Sequence, residues 1–236
     1  MSGEIGQMQL GQIITAIGGL GTAAFGLVEA AKPVFGFINR IGWKHIQETV
    51  SGLTPDQTGA GLQPAPPNAL PRKNILASLE ANWINGTDLV SQKAIAKSLI
   101  KLQLSAGNAA ALAAKTNVNP TLLTSVAMKT ASGTSLSQPE SDVFSRFDLI
   151  LTAMLDEAYQ TSDQLYRNGI RLLAAFVAVL LALAGGWALD GSTFWSSRDV
   201  GLALVVGLLA TPLAPIAKDL TTALAAAVNA MQLVKK

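Results

Sequence analysis

Few residues in this chain are equipped for covalent or metal chemistry. Its 236 residues include no cysteine and a single histidine, His45. Without cysteine there is no disulfide, thiolate ligand or cysteine nucleophile. Zinc sites are normally built from several His or Cys side chains, and one imidazole supplies no such cluster. With Trp43 and Lys44 as neighbours, His45 reads as a juxtamembrane interface residue, because aromatic and basic side chains commonly anchor a span at headgroup level. The sequence has no glycine-rich phosphate loop, no nucleophile elbow and no histidine-based triad. It therefore predicts a protein that is not an enzyme and needs no cofactor. Asn85-Gly86-Thr87 matches a glycosylation acceptor, which the cytoplasmic placement argued below would void.

What remains is the chemistry of small residues, charges and prolines in apolar surroundings. Thr15, Gly18, Gly19, Thr22 and Gly26 recur at helical spacing, and small residues four apart let helix backbones approach closely in lipid. They predict a tight oligomer seam or a pore lining, with packing against other spans of the same chain as the plainer alternative. Glu29 and Lys32 follow near the inner end of the same stretch. Intramembrane charge is costly, so these two are expected either to pair with each other or to set a ring of carboxylates at a pore mouth. Pro212 and Pro215 lie in a later apolar stretch. Each removes a helix hydrogen bond and predicts a kink.

The elements that must carry these residues are apolar helices. Half of the chain is hydrophobic and 14% is charged, against about 25% charged in an ordinary soluble domain, and mean hydropathy is +0.38. The deficit of charge is concentrated in three segments. Leu172 to Leu189 and Val200 to Ala217 are each free of charge and long enough to cross a hydrocarbon core about 30 Å thick. The short polar loop from Asp190 to Asp199 makes them a transmembrane hairpin. The first segment, Leu10 to Val28, is uncharged but rich in glycine. A secretory signal peptide is the competing reading, and Val28-Glu29-Ala30 even resembles a cleavage site. The first basic residue, however, is Lys32, so the basic n-region is missing and a true span is expected.

Lysine and arginine near span ends set orientation. Lys32, Arg40, Lys44, Arg167, Arg171, Lys218, Lys235 and Lys236 fall on one side, and Arg198 alone on the other. The middle domain and the C-terminus are expected to be cytoplasmic, in the plasma (inner) membrane of a bacterium.

The predicted organisation follows. Residues 1–50 are the first span and a juxtamembrane segment. Residues 51–73 are a Pro/Gly-rich linker that cannot bury enough surface to fold alone. Residues 74–168 are a helical cytoplasmic domain, 169–218 the hairpin, and 219–236 an amphipathic helix. The fold class is all-α, an integral membrane protein with three transmembrane helices. Within the domain, Asn74 caps a helix to Asn82 and a second runs from about Asp88 to Leu104. Ser105 caps a third to Lys115. Asn119-Pro120 opens a fourth that ends near Gly133. Ser137-Gln138-Pro139-Glu140 is a capping box. After it Val143, Phe147, Ile150, Met154 and Ala158 form an apolar stripe, and one long helix should continue into the second span, with Gly169 as a point where it could bend.

Charge in this domain is segregated. Residues 72–129 carry a net +5 and residues 140–163 a net −5. Lys93, Lys97 and Lys101 share a face at four-residue spacing, and Asp148, Asp156 and Glu157 lie on the acidic helix. The two faces are expected to pair, within a chain or between chains. The lysines alternate with Ala and Leu rather than with stacking aromatics, which disfavours a nucleic-acid partner. The lipid bilayer, further copies of the chain and a larger protein assembly are the expected partners. The sequence thus points to a non-enzymatic oligomeric anchor or scaffold. An oligomeric channel lined by the first or third span is the alternative, and a membrane-tethered DNA-binding regulator a weaker one.

Overall fold

The computed structural model describes residues 2–54 and 70–234, with side chains described over 13–54 and 70–216. The described chain is helical throughout. Helix α1 spans Ser2–Ala31, α2 Gly36–Asn39, α3 Trp43–Leu53, α4 Arg72–Ile84, α5 Leu89–Leu102, α6 Ala109–Thr116, α7 Pro120–Ser132, α8 Gln138–Asp190 and α9 Asp199–Val234, with a 3-10 turn over Gly191–Ser196. Three of them, α1, α8 and α9, contain stretches long and apolar enough to cross a membrane.

Two compact units divide the chain, one from residues 1–38 and 167–236, the other from residues 39–166. Helix α8 contributes to both, and Gly169 does not interrupt it. Helix α3 runs to Leu53 and α4 begins at Arg72, so both edges of the expected 51–73 linker are helical, and 55–69 lie outside the described residues. Helix α9 passes through Pro212 and Pro215 to Val234. The expected amphipathic face of 219–236 rests on side chains outside those described.

In the 39–166 unit, local signals set the helix starts and stops. Asp88 accepts a hydrogen bond from the Ser91 N–H at 2.9 Å and Asn119 accepts from the Leu122 N–H at 3.1 Å, each satisfying a donor that the first helical turn leaves open. Gly133 closes α7 at φ 69°, the left-handed geometry that suits glycine at a helix end. The Ser105 cap is not formed. Helix α6 begins four residues later, because Asn108 accepts from the Ser105 N–H and donates to the Gln103 carbonyl, which makes a buried turn of 103–108 instead.

The core of this unit is built of large side chains. Trp43, Ile46, Val50 and Leu53 from α3 meet Ile75, Leu79 and Trp83 from α4, and Phe147, Leu151, Leu155 and Tyr159 from α8. Trp43 is 6% exposed, so it is not an interface anchor as its sequence neighbours implied. Its spacing of three, four and three to Ile46, Val50 and Leu53 is that of a buried helix face. Gly42, which precedes α3, has φ +85°, and a Cβ there would overlap the Ser162 carbonyl oxygen of α8. Only glycine fits both that conformation and that approach.

In the other unit Ala24, Ala178 and Ala210 form a buried cluster of small residues, with Ile17, Leu20, Val177 and Leu181 around it, and Phe194 is buried as well.

Candidate functional site: two faces of the first apolar helix

Helix α1 carries small residues on two opposite faces. Gly18, Gly21, Ala24 and Val28 are buried, and their steps of three, three and four residues keep them on one side of a helix. This side meets α9. A Cβ on Gly21 would overlap the Ala210 carbonyl and come 3.1 Å from the Ala214 Cβ. Backbone therefore lies directly on backbone, the contact that glycine permits and any larger residue forbids. Gly207 of α9 sits in the same way against the backbone of Val179 in α8.

The second face runs through Ala16, Gly19, Ala23, Gly26 and Ala30, all exposed. At 100° per residue these positions centre roughly opposite the buried face. A Cβ on Gly19 or Gly26 would meet no atom within 4 Å. Thr22 flanks this stripe, is exposed, and donates from its hydroxyl to the Gly18 carbonyl at 3.0 Å. Thr15 is half-buried.

The sequence grouped Thr15, Gly18, Gly19, Thr22 and Gly26 as one seam. The structure divides them, with Gly18 on the packed side and Gly19, Thr22 and Gly26 on the open side. Gly21 and Gly207, each set against a neighbouring backbone, were not singled out. Gly21 was legible as part of the buried 18, 21, 24, 28 period, but two overlapping glycine periods cannot be separated without knowing which one faces a neighbour.

Glu29 and Lys32 form an ion pair with each other at 2.6 Å. It lies one turn apart on a single helix end, so it needs no second chain. Pro212 and Pro215 lie within α9, Pro212 between the Ala210 and Ala214 contacts and Pro215 directly after them.

In the 39–166 unit, Lys93 pairs with Asp156, while Lys97 and Lys101 both reach Asp148, at 3.2 and 2.9 Å. The lysine face of α5 is thus taken up by the acidic face of α8 within one chain. Burial tends to raise the Asp148 pKa, but the Lys101 and Lys97 hydrogen bonds outweigh it and hold the carboxyl below its ordinary value. Glu157 faces His45, at 3.4 Å.

The capping box at the start of α8 does more than cap. Glu140 is 5% exposed and accepts from the Ser137 N–H and hydroxyl, the Ser125 hydroxyl and the Lys129 ammonium, all within 2.8 Å. The Lys129, Ser125 and Ser137 hydrogen bonds push its pKa down to about 2. This carboxylate ties α7 to α8. Because every donor is protein, it is a structural lock rather than an open acid.

No group of three His, Asp or Glu side chains that could hold a metal occurs among the described residues. Comparison with protein-family models, with curated proteins and with solved structures finds no match. The class defined by this geometry is an all-helical protein with three helices long and apolar enough to span a membrane.

Proposed function

We propose that the chain is a non-enzymatic subunit of a homo-oligomer in a bilayer, joined through the outward small-residue face of α1, and that the assembly anchors or scaffolds a larger one. One observation carries this reading. Gly19 and Gly26 keep open space beside them on a helix whose other small-residue face is already used by α9. Between lipid and protein there is no hydrophobic drive to cover such a face, but a second backbone can approach it closely and gain dispersion and weak polar contacts.

The experiment is the mass of the detergent-extracted particle. The native chain should run as a multiple of one chain's mass, and Gly19→Leu with Gly26→Leu should reduce it to one chain while leaving α1 packed on α9. A double variant that keeps its mass sinks the seam, and a native chain that is already single sinks the whole proposal. A channel lined by α1 would show voltage-driven conductance of the same particle in a planar bilayer. A DNA-binding role draws less support, since Lys93, Lys97 and Lys101 are engaged by Asp156 and Asp148.

The lysines and arginines near the span ends support placing residues 39–166 on the cytoplasmic side of a bacterial inner membrane. In the cysteine-free chain this is checked with single cysteines. A cysteine replacing Val90 should be sealed from an impermeant maleimide in intact cells, and one replacing Trp195 should react. The reverse pattern would invert the topology.

A further inference from the structure

Directly after α1 the chain makes a compact turn whose apolar side chains point outward. Val34 is 75% exposed, Phe35 52% and Phe37 63%. The two rings lie 6.2 Å apart, tilted by 55°, so they form one patch. The backbone beneath them is closed on itself. The Val34 and Phe35 N–H groups donate to the Ala31 carbonyl at 3.0 and 2.8 Å, and Ile38 donates to Phe35 at 3.0 Å. Pro33, which has no N–H to satisfy, ends the helix before it.

We propose that Val34, Phe35 and Phe37 are a wedge seated in the headgroup–acyl boundary of the bilayer, fixing the depth of α1. The inference rests on α1 being a span. Its apolar stretch carries no charged side chain from Leu10 to Val28, long enough for a hydrocarbon core that needs about 20 residues. Glu29 and Lys32 mark its lower end, and α1 stops at Ala31. Val34 follows directly and therefore falls at headgroup level. Exposed apolar and aromatic side chains favour that layer, and a turn that satisfies N–H groups internally enters it at less cost.

The neighbouring charges say how the wedge is held. Lys32 pairs with Glu29 at 2.6 Å, Arg40 with Glu80 at 2.8 Å, and Lys44 with Glu48 at 3.7 Å. Each base beside the turn has its own acid, so the segment offers no net charge to anionic lipid. The wedge is held by apolar burial and is insensitive to salt and to lipid charge.

The absence of native cysteine makes the test direct. Nitroxide labels are placed at Val34→Cys, at Leu204→Cys in α9 and at Val90→Cys in α5, each in the full chain reconstituted in vesicles. Collision rates with oxygen, which concentrates in lipid, and with a water-soluble nickel chelate then report depth. The oxygen-to-nickel ratio at position 34 should be several-fold above that at 90 and below that at 204. It should not change between low and high salt, or between zwitterionic and anionic vesicles. Adding Phe35→Ser with Phe37→Ser should lower it to the value at 90.

A ratio at 34 equal to that at 90 in the otherwise native chain overturns the wedge. So do low collision rates with both reagents, which would mean that a second copy or other protein covers the turn. A ratio that rises with anionic lipid overturns its apolar character. If position 204 meets the nickel chelate as readily as position 90, the span reading fails and the wedge with it.

Discussion

The two units differ in how closely their helix backbones approach. In the 39–166 unit the core is aromatic and branched, with Trp43, Ile46, Leu79, Phe147 and Tyr159 all buried. In the apolar unit glycine lets backbone meet backbone, Gly21 on Ala210 and Gly207 on Val179. This is the difference expected between a unit in water and a unit in lipid, the placement proposed above. A water-exposed unit gains by removing large apolar side chains from solvent. Between apolar helices in a bilayer that gain vanishes, because lipid tails are as apolar as leucine. Stability must come from close backbone approach, which small residues allow. Polar contacts follow the same division. The cross-helix ion pairs among Lys93, Lys97, Lys101, Asp148 and Asp156 all belong to the 39–166 unit, while the described pair of α1, Glu29 with Lys32, closes within its own helix end.

Substitutions that exchange the two packing rules break the comparison most sharply. Phe147→Ala should cost the 39–166 unit about 3–5 kcal/mol, the loss of a buried aromatic plus the cavity left behind. A fall in the hydrogen-exchange protection of α3, α4 and α8 would register it. Gly42→Ala belongs to the same unit and should cost about 1–3 kcal/mol, for a left-handed φ and a clash with the Ser162 carbonyl. The apolar unit should instead be broken by enlargement. Gly21→Leu should cost about 1–3 kcal/mol by overpacking and loosen α1 from α9, read as lost protection of α1 in detergent. Gly19→Leu, two residues away on the open face, should leave that protection unchanged. Equal responses at positions 19 and 21 would show that the two faces of α1 are not distinct.

Electrostatic changes are smaller. Asp148→Asn removes two partly exposed pairs, each worth about 0.2–1 kcal/mol, and should lower the thermal midpoint of the 39–166 unit by a few degrees at most. Acid acts through Glu140. Its pKa falls from an ordinary 4.5 to about 2 in the folded chain. Its contribution is therefore complete above about 4.5 and is lost as pH drops from there toward 2. Thermal unfolding of the 39–166 unit should be flat in this respect near neutrality and weaken below pH 4.5. Glu140→Gln should remove that part of the acid sensitivity.

Much of the helix layout was legible because its signals are local. Asn119-Pro120, Asp88, Gly133 and the Ser137-to-Glu140 box each act within four residues of chain, and each marks a helix boundary in the structure. The matched charges of α5 and α8 were legible as well, because a four-residue repeat fixes a face without knowledge of the partner. Trp43 misled because a tryptophan beside a lysine reads the same at a membrane interface and at the start of an amphipathic helix. The 43, 46, 50, 53 period was the signal that separates the two. The exposed turn at Val34, Phe35 and Phe37 was hidden for the opposite reason. Without periodicity, an apolar run gives no hint of which way its side chains face. On α1 the glycines were visible but their division was not, since only the position of α9 decides which face is already occupied.

The pairing at the end of α1 has an electrical consequence. From Ile13 to Val28 the helix bears no charged side chain, and Glu29 with Lys32 sums to zero. A membrane potential does work on a moving segment only in proportion to the net charge displaced, about 2.3 kcal/mol per elementary charge per 100 mV. In the proposed membrane placement, this stretch gives the potential no net side-chain charge to act on.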